Sequence, residues 1–198
     1  MKTLPLAITA AIVLAGTPAG AAERAIDKEV VVNASLDQAW QAWTTREGIK
    51  SFFAPDAVVE PRVGGAFHIH MDPGAPAGAK GADDMRFMAL QPPKMLSFDW
   101  NAPPSLPEAR AQRSFVIVRF FPLTDTSTRV TLHHTGWGEG GEWDQAYAYF
   151  DKAWSGVLGN LQKRFVSGPR DWSAWLQQLE AYRAQAAARA AAASQAAR

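Results

Sequence analysis

Large apolar side chains recur at helical spacing through residues 142–165. Trp143, Tyr147, Phe150, Trp154, Val157, Leu158, Leu161 and Phe165 follow one another mostly at steps of three and four, which places them on one helix face. A long helix with an aromatic-rich stripe needs a broad apolar surface to lie on, and the preceding segments predict one. Residues 26–32 are rich in β-branched side chains and predict a first strand. Asn33-Ala34 ends it, and Ser35 with Gln38 forms a capping box for a short helix carrying Trp40 and Trp43. Residues 45–53 predict a second short helix, stopped by Pro55. Residues 56–60 predict a short strand ended by Pro61, and Gly64-Gly65 a turn or bulge into a strand over 66–71. Phe67, Ile69 and Met71 share one face of that strand; His68 and His70 take the other, expected to face solvent.

Residues 72–83, rich in Gly, Ala and Pro, predict a flexible loop. Residues 84–90 and 95–100 read as a strand pair joined through Pro92-Pro93, with Leu96, Phe98 and Trp100 pointing one way. A polar loop over 101–112 follows. A second strand pair spans 114–121 and 128–134, with a turn around Asp125, and Thr135-Gly136-Trp137-Gly138 leads into the long helix. Strands followed by a helix predict an α+β fold, with the helix on one face of an antiparallel sheet.

The ends of the chain differ from its middle. Met1-Lys2, an apolar stretch to Gly16 and the small residues Ala19-Gly20-Ala21 read as a secretory signal peptide over 1–21. Pro5 and Pro18 interrupt the stretch, which is short for a membrane span of ~20 residues. The expected location is therefore periplasmic or secreted, with no membrane insertion after cleavage. The domain is expected over 22–168, and a helical extension over 169–198. Trp172, Trp175, Leu176 and Leu179 form a docking face in that extension. From Ala184 onward it is Ala-rich, lacks a large apolar face and is expected to fray or be disordered.

Charge and composition narrow the function classes. Lys and Arg total 20, Asp and Glu 19; losing Lys2 makes them equal, which gives no general preference for nucleic acid or acidic membranes. Without cysteine there is no disulfide, thiolate nucleophile or cysteine metal site. Eight Trp and ten Phe point to a bulky core or an aromatic-lined pocket.

The aromatic set Trp43, Phe53, Phe67, Phe98, Trp100, Phe150 and Trp154 reads either as a lined cavity for an apolar ligand or as solid core. With Ile69, His134 and Trp137 it makes up the candidate ligand-binding residues. Gly156 and Gly159 each cost the long helix roughly 1 kcal/mol relative to Ala; they mark either tolerated drift or room for close approach or ligand. His68 and His70, with His133-His134, have the rudiments of a zinc site, but no further ligand stands at clear spacing and no metal is expected. His134 shares parity with Val130 and Leu132 and points inward, as a satisfied core histidine or as an acid/base toward a ligand. The acids Asp99, Glu139, Glu142 and Asp144 read as solvated or as dipole partners at a helix start. No catalytic triad spacing, phosphate loop or cofactor motif is present.

Certain residues carry a family resemblance. They are Ala39-Trp40-Gln41-Ala42-Trp43-Thr44-Thr45 with Gly48, Phe52-Phe53-Ala54-Pro55, Val63-Gly64-Gly65-Ala66-Phe67, and Pro92-Pro93 with Leu96-Ser97-Phe98-Asp99-Trp100. Leu132-His133-His134-Thr135-Gly136-Trp137 and Gly168-Pro169-Arg170-Asp171-Trp172 complete the set. In this order they resemble the helix-grip (START-like, SRPBCC) superfamily of birch-pollen-allergen-like proteins and polyketide cyclases. Within it they resemble the group named after the activator of the heat-shock-protein-90 ATPase. The resemblance implies a curved sheet gripping the long helix around a cavity; it does not imply one activity. An exported member would not meet the cytosolic heat-shock partner. The sequence therefore suggests an exported binding protein for a small hydrophobic molecule. A helix-grip enzyme using His134, or an interaction module using the Ala-rich tail, are the alternatives.

Overall fold

The computed structural model of the chain describes residues 23–196; the leader read over 1–21 lies outside them. The elements in chain order are β1 (Ile26–Val32), α1 (Leu36–Thr44), α2 (Arg46–Lys50), β2 (Asp56–Val59), β3 (Phe67–His70), β4 (Gly81–Ala82) and β5 (Phe87–Gln91). They continue with β6 (Met95–Trp100), α3 (Pro107–Arg110), β7 (Ser114–Thr124), β8 (Ser127–Thr135), α4 (Gly141–Ser167) and α5 (Ser173–Ala196). The main antiparallel sheet has the order β1-β8-β7-β6-β5, and a smaller one the order β2-β3-β4. Backbone bonds from Gly64 N–H to the Phe87 carbonyl (2.8 Å) and from Phe67 N–H to the Met85 carbonyl (2.8 Å) link the two.

Strand alternation orients the main sheet. Val116, Val118 and Phe120 of β7 face inward with Val130, Leu132 and His134 of β8 and with Leu96, Phe98 and Trp100 of β6. Against this face lies α4, burying Ala146, Phe150, Trp154, Leu158 and Leu161. Trp143, Tyr147, Val157 and Phe165 flank the buried row and are half-buried. Polar bonds hold α4 to the edge strand: Tyr147 donates to the Ala25 carbonyl at 2.9 Å, Gln162 to the Val31 carbonyl at 3.0 Å, and Lys28 pairs with Asp151 at 2.7 Å. This is the helix-grip arrangement that the resemblance implies.

Local chemistry explains the short helices. The capping box of Ser35 and Gln38 forms in both directions. Thr45 serves as N-cap of α2, accepting from Gly48 N–H at 2.9 Å, so that helix is shorter than the 45–53 predicted. A Cβ on Gly48 would lie 2.3 Å from the Gln41 carbonyl oxygen; the two helices touch there through backbone.

The structure corrects several expectations. The loop over 72–83 contains β4, which pairs with β3. The loop over 101–112 contains α3. The Glu142 carboxylate accepts from Glu108 N–H at 2.8 Å and Ala109 N–H at 3.0 Å, partnering donors that a helix N-terminus leaves open. Glu142 thus stands at the start of α4, as read, and also caps α3. His70 is buried, not solvent-facing, with its Nδ1 2.8 Å from Asp56 Oδ2. Asp99 accepts from Arg86 N–H at 2.5 Å, tying β5 to β6. The Ala-rich stretch from Ala184 runs on as exposed helix to Ala196; alanine's propensity carries it without a face to bury. Leu176 is exposed, so the docking face narrows to Trp172, just before α5, and to Trp175 and Leu179 within it.

Nothing lies within 4 Å of a Cβ built on Gly156 or Gly159, so neither marks a close approach. Gly156→Ala is expected to raise stability by about 0.5–1 kcal/mol. Gly48→Ala is expected to lower it by about 2 kcal/mol or more, because carbonyl groups must move. Urea unfolding midpoints of the two variants check the opposite signs.

Candidate functional site

Beneath α4 the aromatic packing stops short of closing, leaving a cleft of about 280 Å3. The two sheets supply Ile69, Ala82 and Trp100 to its wall, and the segment after α2 supplies Phe53. Helix α4 supplies Tyr149, Phe150, Ala153, Trp154 and Val157. Helix α5 adds Trp175 and Leu179. The loops contribute Asp72, Lys80 and the run from Asn101 to Pro104.

The rings of the wall are mutually braced. Phe53 stacks on Trp100 with centroids 6.0 Å apart and meets Trp154 edge-on at 5.7 Å. Trp100 and Trp154 are 5.4 Å apart, and Phe150 stacks on Trp154 at 6.2 Å. Offset and edge-on contacts of this kind add to the stability from burial and hold the rings in place.

The candidate residues therefore divide into three groups. Phe53, Ile69, Trp100, Phe150 and Trp154 line the cleft. Trp43, Phe67 and Phe98 are fully buried behind it, with Phe67 and Phe98 only 4.3 Å apart, as solid core. His134 and Trp137 form a third group, joined to the wall through Trp154. Lining residues that the sequence reading passed over include Ala153, Tyr149, Trp175 and Leu179. The last two sit on the face assigned to docking, which was the available signal.

His134 is fully buried. Its Nδ1 accepts from Trp154 Nε1–H at 2.9 Å, and its Nε2 lies 2.8 Å from Ser114 Oγ. An indole N–H can only donate, so Nδ1 carries no proton and Nε2–H donates to Ser114. Ser114 Oγ–H donates onward to the Trp100 carbonyl at 3.3 Å. Each polar atom of the His134 ring and the Ser114 hydroxyl has a partner. Burial, with a smaller push from His133, lowers the His134 pKa from 6.5 to about 3. Both nitrogens are engaged and the ring is shut away, so His134 links α4, β8 and β7. Among the described residues no cluster of His, Asp and Glu could hold a metal ion.

Helix α5 lies across the cleft as a cap. Trp172 Nε1–H donates to the Lys50 carbonyl at 2.6 Å, and Arg170 N–H to the Ser51 carbonyl at 2.9 Å. These bonds anchor the entry to α5 at the end of α2. Trp175 Nε1–H donates to the Met71 carbonyl at 2.8 Å, and Arg183 pairs with Asp72. The loop beneath is held in turn by Arg110, which donates to the carbonyls of Gly78 (2.7 Å), Gly81 (2.8 Å) and Ala102 (2.5 Å).

The family model described as Activator of Hsp90 ATPase homolog 1-like protein matches residues 33–165. Solved structures with the same fold include a protein of Mesorhizobium loti at 24% identity, covering 71% of this chain and 95% of that one with a TM-score of 0.56. The Aha1 dimer of Colwellia psychrerythraea is 20% identical, covers 73% of this chain and 98% of its own, and has a TM-score of 0.56. CalU16 of Micromonospora echinospora is 22% identical over 83% of this chain and 86% of its own, with a TM-score of 0.55. At these identities the likeness is one of fold. No curated protein matches the chain. The cleft's cap, α5, begins beyond the matched residues.

The buried histidine makes stability depend on pH. Below pH 6.5 the unfolded chain takes up a proton that the folded chain refuses until about pH 3. The contribution is whole above 6.5 and is lost as pH falls, by up to about 1.4 kcal/mol per pH unit. Urea titrations between about pH 7 and pH 4 should show a falling midpoint, and His134→Gln should flatten part of the slope. Equal slopes in both proteins would remove this role.

Proposed function

The chain belongs to the Activator of Hsp90 ATPase homolog 1-like family, and we propose that it serves there as a binding protein for a small hydrophobic molecule. The observation that carries this reading is the cleft of about 280 Å3 walled by Phe53, Trp100, Phe150, Trp154 and Trp175. Its size approaches the lower end of the ~300–1,000 Å3 range of small-molecule sites. Its wall is mostly aromatic and apolar, with few polar groups, the usual composition of such sites. The driving force is removal of ligand surface from water, worth roughly 25 cal/mol per Å2. Orientation comes from rings already braced against one another, so little ordering is left to the moment of binding.

The ligand enters past α5. Trp175 and Leu179 leave the cleft's wall when that helix lifts, which breaks the Trp175 bond to the Met71 carbonyl and the Arg183–Asp72 pair. The protein works outside the cytosol: the n-region at Met1-Lys2, the apolar stretch and Ala19-Gly20-Ala21 support export and cleavage. Its ligand is then a molecule of the periplasm or the medium, and the family's name-giving cytosolic chaperone is not its partner.

Native mass spectrometry of the protein purified from the exported fraction, followed by denaturing extraction, is expected to release a stoichiometric organic molecule. The environment-sensitive dye anilinonaphthalene sulfonate should bind the emptied protein. Ala153→Phe, which fills the cleft, should weaken that binding about tenfold or more while thermal unfolding stays cooperative. Dye binding untouched by the filled cleft would defeat the reading. N-terminal sequencing of the exported protein is expected to begin at Ala22; an intact Met1 would defeat the export step.

A further inference from the structure

The last turns of α4 carry a polar face. Asn160, Lys163, Arg164 and Ser167 fall at spacings of three and four, so they stand on one side of the helix. Gly168, with φ at 92°, turns the chain, and Pro169-Arg170 lead on towards α5. Together these residues line a groove of about 360 Å3 that shares none of them with the cleft beneath α4. Arg170 N–H donates to the Ser51 carbonyl at 2.9 Å, which fixes the connection against the end of α2.

The lining of the groove includes Lys163, Arg164 and Arg170 and no carboxylate. Elsewhere Arg24, Lys28, Arg46, Arg110 and Arg183 each pair with an acidic side chain, whereas among the described residues these three pair with none. The adjacent acid, Asp171, is occupied: it accepts from Ser173 N–H at 2.9 Å and from Ser173 Oγ–H at 2.6 Å. Two of the cations rest on rings, Arg170 at 4.1 Å over Trp172 and Arg164 at 5.4 Å over Phe165. Such contacts position a guanidinium and leave its charge in place. A cation at a helix C-terminus has an ordinary role, since the aligned carbonyls there carry roughly half a negative charge. Arg164, in the last turn of α4, meets that need. Lys163 and Arg170 remain, so the groove keeps an excess of about two positive charges in a chain whose charge is otherwise balanced.

We infer that this groove binds a phosphate-type dianion, the chemistry shared by free phosphate and a phospholipid headgroup. A phosphate monoester carries about −1.5 to −2 charges at pH 7, which matches the excess. A carboxylate brings a single charge and leaves one cation unmatched. Arginine offers a planar fork of N–H donors suited to phosphate oxygens, and lysine a point charge. Asn160 and Ser167 add neutral donors to the same lining. The site is separate from the cleft and stands whether or not the cleft takes a hydrophobic molecule.

The test uses the full chain, dialysed free of phosphate, at low ionic strength. Inorganic phosphate is titrated calorimetrically, with acetate as the single-charge control. Co-sedimentation is measured with vesicles of phosphatidylcholine, with and without phosphatidic acid. Phosphate binding about tenfold or more tightly than acetate assigns the groove to the free anion. Capture by the vesicles that contain phosphatidic acid, without tight binding of free phosphate, assigns it to a headgroup. In either case Lys163→Gln, which alters an exposed side chain, should weaken binding about tenfold. Lys163→Gln with Arg170→Gln should abolish it while thermal unfolding stays cooperative. Phosphate no tighter than acetate, together with no preference between the vesicles, overturns the inference. Binding that survives the double substitution overturns it likewise, and if that variant does not fold, undiminished binding by Lys163→Gln alone does so.

Discussion

The 2.9 Å hydrogen bond from Trp154 Nε1–H to His134 Nδ1 joins the long helix to the sheet at the centre of the fold. Its consequences spread through three strands. Because the indole can only donate, it fixes the histidine tautomer. The fixed tautomer passes its proton's direction to Ser114 on β7, and Ser114 closes on the Trp100 carbonyl of β6. One geometry of α4 satisfies this whole buried chain; a shift by one helical residue would leave an imidazole and an indole without partners. Apolar packing presses α4 onto the sheet, but it is tolerant of small slides. The polar chain is what makes the seating specific.

The same tryptophan forms part of the cleft's wall, so the site inherits its geometry from that seating. Trp154 holds Phe53, Trp100 and Phe150 around it at centroid distances between 5.4 and 6.2 Å. A wall built this way is rigid before any ligand arrives. The cap is built differently. Helix α5 is tied down by the Trp175 bond to the Met71 carbonyl, the Trp172 bond just before it and one ion pair, and buries none of its own residues from Ser173 to Ala196 fully. The wall is thus held more firmly than the cover.

Much of the fold was legible along the chain. The periodicity of Phe150, Trp154, Leu158 and Leu161 places α4, and the alternation of Leu96, Phe98 and Trp100 places β6. The capping box at Ser35 and Gln38 forms as read. What escaped was short or depended on distant residues. The two residues of β4 have no periodicity of their own and exist because β3 offers an edge. The four residues of α3 are partnered by Glu142, which lies more than thirty positions away. His70 alternates with Phe67 and Ile69 and so reads as solvent-facing. It is buried because Asp56, opposite it across the β2–β3 pair, supplies a partner.

For the site, the sequence by itself determined which residues are apolar and aromatic, and on which face of each element they stand. Those properties follow from local backbone periods of two and 3.6 residues. Tertiary structure alone decided that Trp100 and Trp154 wall a cleft while Trp43, Phe67 and Phe98 fill a core. That outcome depends on where the curved sheet, α4 and α5 stop meeting, a distance between elements far apart in the chain. The state of His134 was decided in the same way. Its parity turns it inward, but its tautomer follows only from the indole and hydroxyl that close on its two nitrogens.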